Sequence, residues 1–190
     1  TECLRQARTC AHQMHWLRET TNPVSLPGSP EAMDSGLTIS LHTPAGDMQA
    51  REVKTIIEGS GTDFVGSCLD TGNPMCVMED PQISLEVLGP YVVTTHVRDS
   101  VIYEHPRGAA AQWVALGDGN IDFAKFMALY RQVCPNASMQ LEVITGRPPP
   151  VVPYFDSNFW KAFPEANARE CERFVALANR GTPAARDTAP

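Results

Sequence analysis

From Leu37 onward the chain alternates short β-branched runs with amphipathic stretches. Leu37 to His42, LTISLH, reads as a strand, and Met48 to Gly59 puts Val53, Ile56 and Ile57 on one helical face. DFVGSCLD, ending at Asp70, reads as a second strand, and Asp80 to Leu88 as a short helix opened by Pro81. Tyr91 to Val97, YVVTTHV, is a strongly β-branched strand. A long Gly-containing loop carrying Trp113 then leads to a helix over Phe123 to Cys134, and Met139 to Ile144, MQLEVI, reads as the last strand. The Pro-rich Gly146 to Pro150 is stiff, Ala166 to Asn179 forms the closing amphipathic helix, and residues 181–190 make a small-residue tail expected to be disordered.

Upstream of Leu37 the pattern is weaker. Leu4, Ala7, Arg8 and Ala11 have helical spacing, and His15 to Thr20 reads as a short strand. Pro23, Pro27, Gly28, Pro30 and Gly36 then prohibit a long uninterrupted helix. Strand alternating with helix argues for a parallel α/β sheet with βαβ crossovers.

With 22 acidic against 15 basic residues the net charge is -7, and no Lys/Arg run tracks a phosphate backbone, so nucleic acid is not the expected partner. No apolar stretch approaches the roughly 18 residues of a membrane span, and no signal-peptide pattern opens the chain, so a cytoplasmic protein without a membrane partner is expected. Cys3, Cys10, Cys68, Cys76, Cys134 and Cys171 form no CxxC pair, which leaves incidental thiols as the plain reading. Asn136 to Ser138 spells a glycosylation acceptor without a secretion signal to give it meaning.

The chemistry lies at the strand ends. His42, Asp70, His96 and Glu142 each end, or nearly end, a strand, and parallel strands bring such residues together on one face. Oxygen and imidazole donors of this kind suit Mn, Mg, Co, Zn or Fe(II). Each has a plain alternative. Asp70 before TGNP could start an Asx turn, His96 could be held by Asp99, and His42 could be a loop residue. Glu142 lies between Leu141 and Val143, where an unpaired carboxylate is costly, so it calls for a partner. Arg98 and Arg147 follow two of the strand ends and could hold a sugar oxygen or a phosphate, or form surface ion pairs. Gly117 to Asn120 is a flexible turn without the lysine of a P-loop.

LDTGNP at 69–74, HVRDS at 96–100, LGDGNIDF at 116–123 and LEVITG at 141–146, in this order, resemble the xylose isomerase-like barrel superfamily of sugar isomerases and epimerases. The resemblance implies a parallel (β/α) barrel of TIM type, with Asp70, His96 and Glu142 holding a divalent ion, Mn foremost with Mg, Co or Zn as alternatives. It implies proton transfer by Glu142, substrate contacts from Arg98 and Asn73, and a small sugar or polyol as partner, with Trp113 and Arg147 as further candidate substrate contacts by their positions.

Two departures stand out. The family's fifth strand usually carries Glu, often as Glu-Asn-His, whereas SLHTP puts His42 there and Pro44 near the His position. His42 could complete the metal shell or move a proton, but imidazole cannot copy a bridging carboxylate. The chain also has 190 residues against roughly 250 for a full barrel. About five strands, with 15–20 as the fourth of the family, are expected over residues 1–180. A homo-oligomer or a complementing chain would then close the barrel, the alternative being a non-catalytic binding or assembly protein. An endonuclease of the same superfamily is disfavoured by charge and by the lack of extra His and Asp ligands.

Overall fold

The computed structural model describes residues 38–184 apart from 44 and 47, so the expected helix at 2–13, the strand at 15–20 and the Pro-rich joint lie outside the described residues. Strand β1 (Ile39–His42) leads to helix α1 (Ala50–Ser60), strand β2 (Val65–Asp70), helix α2 (Pro81–Leu88) and strand β3 (Val92–His96). The three strands form one parallel sheet in the order β1-β2-β3, with His42 opposite Cys68 and Asp70 opposite His96. This is the α/β, parallel-strand part of a TIM-like barrel, as the sequence pattern requires.

Each helix starts where its sequence allows. Glu52 Oε2 accepts from the Gln49 backbone N–H at 2.9 Å before α1, and Asp80 Oδ1 accepts from Gln82 N at 2.9 Å before α2, where Pro81 needs no donor partner. Val53 and Ile57 of α1, Leu85 and Leu88 of α2, and Phe126 and Tyr130 of α3 (Phe123–Val133) cover one face of the sheet with Val65 and Leu69. Full burial of each such side chain is worth about 1.5–3 kcal/mol. Period-two alternation then turns Cys68 and Asp70 to the opposite face.

The chain between His96 and Phe123 is a hairpin, not the expected loop. Strands β4 (Asp99–His105) and β5 (Gly108–Val114) pair antiparallel across the two residues Pro106 and Arg107, and β6 (Val151–Val152) adds to β5. Ala109, Ala110 and Ala111 have low strand propensity, which hides β5 from a sequence reading. The small side chains of Ala109 and Ala111 instead let the sheet approach helix α5 (Ala168–Ala178), whose Phe174 and Leu177 pack with Ile102, Ala109, Ala111 and Val152 in a second core. A short helix α4 (Ser157–Trp160) precedes α5, which begins at a capping box between Asn167 and Glu170. Asn120 ties the two layers, accepting from Ile102 N and donating to the carbonyls of Ile102 and Leu177. Beyond α5, Gln112 exchanges two hydrogen bonds of 3.1 Å with Ala184, inside the segment read as tail.

Residues 139–144 also differ from the expected strand. They join the end of β3 by isolated parallel bridges, Thr94 with Ser138 and Val97 with Leu141, supported by Val97 N to Gln140 O (2.8 Å), Glu142 N to Val97 O (2.9 Å) and Gln140 N to Thr95 Oγ1 (2.9 Å). Leu141 and Val143 are 65% and 61% exposed, so this segment has too little packing to form a full strand. Among the described residues no helix is long and apolar enough to cross a membrane.

Candidate metal centre

His42, Asp70 and His96 are the last residues of β1, β2 and β3, and Glu142 follows the Leu141 bridge to Val97. All four segments run parallel, so their carboxyl ends meet on one side of the sheet. Three strand ends and the bridge segment at Glu142, separated by up to 100 positions, thus present their side chains to a common point.

The donor atoms form a connected set. His42 Nε2 lies 3.3 Å from Asp70 Oδ2 and 3.1 Å from His96 Nδ1, which lies 3.2 Å from Glu142 Oε2. All four ligand atoms lie within 4.8 Å of one another. Ligands held at about 2.1 Å around one ion are separated by about 3.0–3.4 Å when adjacent, so two imidazoles and two carboxylates in this arrangement fit a divalent cation.

Asp70 forms the Asx turn with one oxygen and turns the other into the cluster. Its Oδ1 accepts from Gly72 N (2.7 Å) and Asn73 N (2.9 Å), the Asx turn, while Oδ2 faces His42 and Arg98. Arg98 is 3% exposed; its Nη2 donates to Asp70 Oδ2 at 2.5 Å and also to Glu142 Oε2. The guanidinium lies over Trp113, 5.0 Å from the ring centre, and Arg147 approaches the same ring at 5.9 Å. A Cβ on Gly72 would run into Cγ and Cδ of Arg98, so only glycine admits this path for the arginine.

The remaining expected site residues are placed less directly. Asn73 is buried and gives its side-chain amide to the Thr43 carbonyl at 2.8 Å, which commits it to the loop after β1. Asp99 does not hold His96. Its carboxylate accepts from Ser100, Gly117 and Gly119 N–H groups, so the Gly-rich turn is a structural wrap around Asp99. Glu142 and His42 are the neighbours of His96.

Two threonines escaped the sequence reading. Thr71 Oγ1 donates to Arg98 O at 2.5 Å and accepts from Arg98 N at 2.9 Å, while Thr43 Oγ1 accepts from Asp70 N at 3.1 Å. Their signal was only position, each lying one residue beyond a strand end. Cys68 could also form a donor group with His42 and His96. Burial, then the charges of Asp70 and Glu142, push its thiol up to about 11, so Cys68 stays protonated beside the carboxylates. A separate cleft of about 430 Å³ runs between α1 and Ala162–Glu165, and none of the four donors lines it.

Residues 27–154 match the family model described as the xylose isomerase-like TIM barrel. The chain belongs to that family. Among solved structures of the fold, a xylose isomerase domain protein from Planctomyces limnophilus is 18% identical with a TM-score of 0.50, and the alignment covers 78% of this chain and 49% of that one. A xylose isomerase-like TIM barrel protein from Mycobacterium smegmatis, in complex with magnesium, is 15% identical with a TM-score of 0.53, covering 70% and 46%. The protein YihM of Escherichia coli (strain K12) is 24% identical over 90 residues, 47% of this chain and 27% of its own length. The chain therefore spans about half the length of these solved family folds, and less of YihM.

Proposed function

We propose that this chain carries the metal centre of an isomerase or epimerase acting on a sugar, polyol or related hydroxy-carbonyl compound. The observation that carries the reading is the meeting of His42 Nε2, Asp70 Oδ2, His96 Nδ1 and Glu142 Oε2 within 4.8 Å at the carboxyl ends of parallel segments. Those four residues would hold one divalent ion, Mn first, with Mg, Co or Zn as alternatives. The magnesium in the related Mycobacterium smegmatis structure supports the choice of a divalent ion.

When bound, such an ion polarises a carbonyl or hydroxyl oxygen and so acidifies the adjacent C–H. Glu142, partly exposed at the edge of the cluster, is the group that takes or returns the proton at carbon, with His42 as the second base. Trp113 offers a flat face and Arg147 a cation for substrate oxygens beside the centre. Asp70, sealed and bonded by two backbone amides, holds its geometry and does not exchange protons with substrate.

The test is metal content of the purified chain after incubation with Mn²⁺, followed by exchange of substrate carbon-bound hydrogen in D₂O over a panel of ketoses and aldoses. Near one ion per chain, lost in Asp70→Ala and Glu142→Ala, is expected. No bound ion in the parent chain rejects the reading.

A second reading has its own observation. Leu141 and Val143 expose an apolar edge beside the centre, which favours closure by a second copy or a complementing chain, with the site then serving binding or assembly. A metal-loaded chain that exchanges no substrate hydrogen in any assembly state selects this reading.

A further inference from the structure

We infer that Arg98 is a resident counter-cation of the centre, which holds the two carboxylates in place before a divalent ion arrives and sets how tightly that ion binds, without being a ligand. The inference rests on the metal reading above and adds to it a residue whose charge opposes the metal.

The geometry leaves Arg98 in contact with the ligand atoms themselves. Its Nη2 donates to Asp70 Oδ2 and Glu142 Oε2, the same two oxygens that face His42 and His96. Asp70 cannot offer its other oxygen instead, because Oδ1 is occupied by the N–H groups of Gly72 and Asn73. An entering cation must therefore share Oδ2 with the guanidinium or push it aside.

Arg98 is also fixed in position more firmly than an ordinary arginine. Thr71 Oγ1 binds both its N–H and its carbonyl, its alkyl chain passes over Gly72 where a Cβ would collide, and Trp113 lies against its guanidinium. Such a cation has little room to swing into water, so its charge stays near any metal ion in the centre. Without it, Asp70 at 0% exposure would carry an uncompensated charge beside Glu142.

Removing that charge should have two opposite effects. The metal-free fold loses its counter-ion and weakens, while a divalent ion meets two carboxylates with no competitor and binds more tightly. A purely structural ion pair would give the first effect alone, and a substrate anchor would give neither.

The experiment compares the full chain with Arg98→Met, which keeps the alkyl packing, and Arg98→Lys, which keeps the charge but loses the planar fork. Mn²⁺ affinity is read by titration calorimetry and thermal melting is followed in EDTA and in Mn²⁺. Arg98→Met is expected to melt lower in EDTA, to bind Mn²⁺ at least tenfold more tightly than the parent and to gain more from Mn²⁺ on melting, with Arg98→Lys between the two. Unchanged or weaker Mn²⁺ binding by a folded Arg98→Met overturns this inference and leaves the metal reading standing. If Arg98→Met folds only in Mn²⁺, the inference is supported. If it folds in neither condition, Arg98→Lys decides by the same comparison of affinities. Absence of Mn²⁺ binding by the parent overturns both readings together.

Discussion

Arg98 and Asp70 form an ion pair closed off from solvent, with Nη2 2.5 Å from Oδ2 and side-chain exposures of 3% and 0%. Two desolvated charges tolerate each other only as a pair, and removing one partner from such a pair costs about 3–5 kcal/mol. Asp70→Ala should therefore lower the free energy of unfolding in EDTA by about that amount, read from urea midpoints. Replacing both partners together, Asp70→Leu with Arg98→Met, should recover a large part of the loss. A single substitution costing under about 1 kcal/mol would show that solvent reaches this pair.

Gly72 admits the Arg98 side chain because it has no Cβ, and Trp113 Nε1 lies next to the same space. Gly72→Ala should displace the guanidinium from Trp113 and destabilise the fold by about 1–3 kcal/mol, the range for overpacking a tight contact. The emission of Trp113, isolated as the difference from a Trp113→Phe control, should shift in Gly72→Ala. An unshifted spectrum with parent-like stability would contradict the packing.

Glu79 supplies a pH dependence outside the candidate ligand cluster. Burial pushes its carboxyl from the ordinary 4.5 to about 7, against the opposing hydrogen bonds from Ser84 and Ala50 and the nearby Arg51, with Glu170 adding to the rise. Between those values the folded chain keeps a proton that the unfolded chain has released. The stability contribution is therefore full below about pH 4.5, declines as pH rises towards 7 and is level above it. The span corresponds to roughly 3 kcal/mol at most. Glu79→Gln removes the titration, so the variant should gain on the parent between pH 5 and pH 8 in urea unfolding, other groups cancelling in the difference. A constant difference across that interval would rule out a buried, titrating Glu79.

The legible parts of this fold are those where one residue pattern has one physical solution. The β-branched run at 92–96 and the apolar stripe of Val53, Ile56 and Ile57 could only be strand and helix, and Pro81 behind Asp80 could only start a helix. The strand ends then follow, and with them the grouping of His42, Asp70 and His96. The hairpin was hidden because Ala109 and Ala111 contribute packing through small size, which depends on Phe174 and Val152 arriving from distant sequence. Residues 139–144 misled in the opposite sense, since their alternation is that of a strand but its pairing partner on the outer side is not supplied within the described residues. Arg98 was legible as a cation near the site and illegible as a contact of both carboxylates, because that depends on Gly72 and Thr71 folding beneath it.

His42 stands where the family's sequence pattern usually has Glu, and its substitution tests what that exchange does to metal choice. With His42 the cluster offers two nitrogens and two carboxylates. With His42→Glu it would offer one nitrogen and three carboxylates, a harder donor set whose added negative charge also offsets Arg98. Oxygen donors favour Mg²⁺ and Mn²⁺, whereas imidazole favours Zn²⁺. His42→Glu should therefore raise the ratio of Mn²⁺ to Zn²⁺ affinity by at least tenfold in competition titrations, with the larger part of the change coming from Mn²⁺. The metal-free variant should melt below the parent, because the new carboxylate would add to the negative charge of Asp70 and Glu142 beside Arg98. An unchanged Mn²⁺ to Zn²⁺ ratio in a folded variant would place the side chain at position 42 outside the coordination shell and leave Asp70, His96 and Glu142 as the candidate ligands.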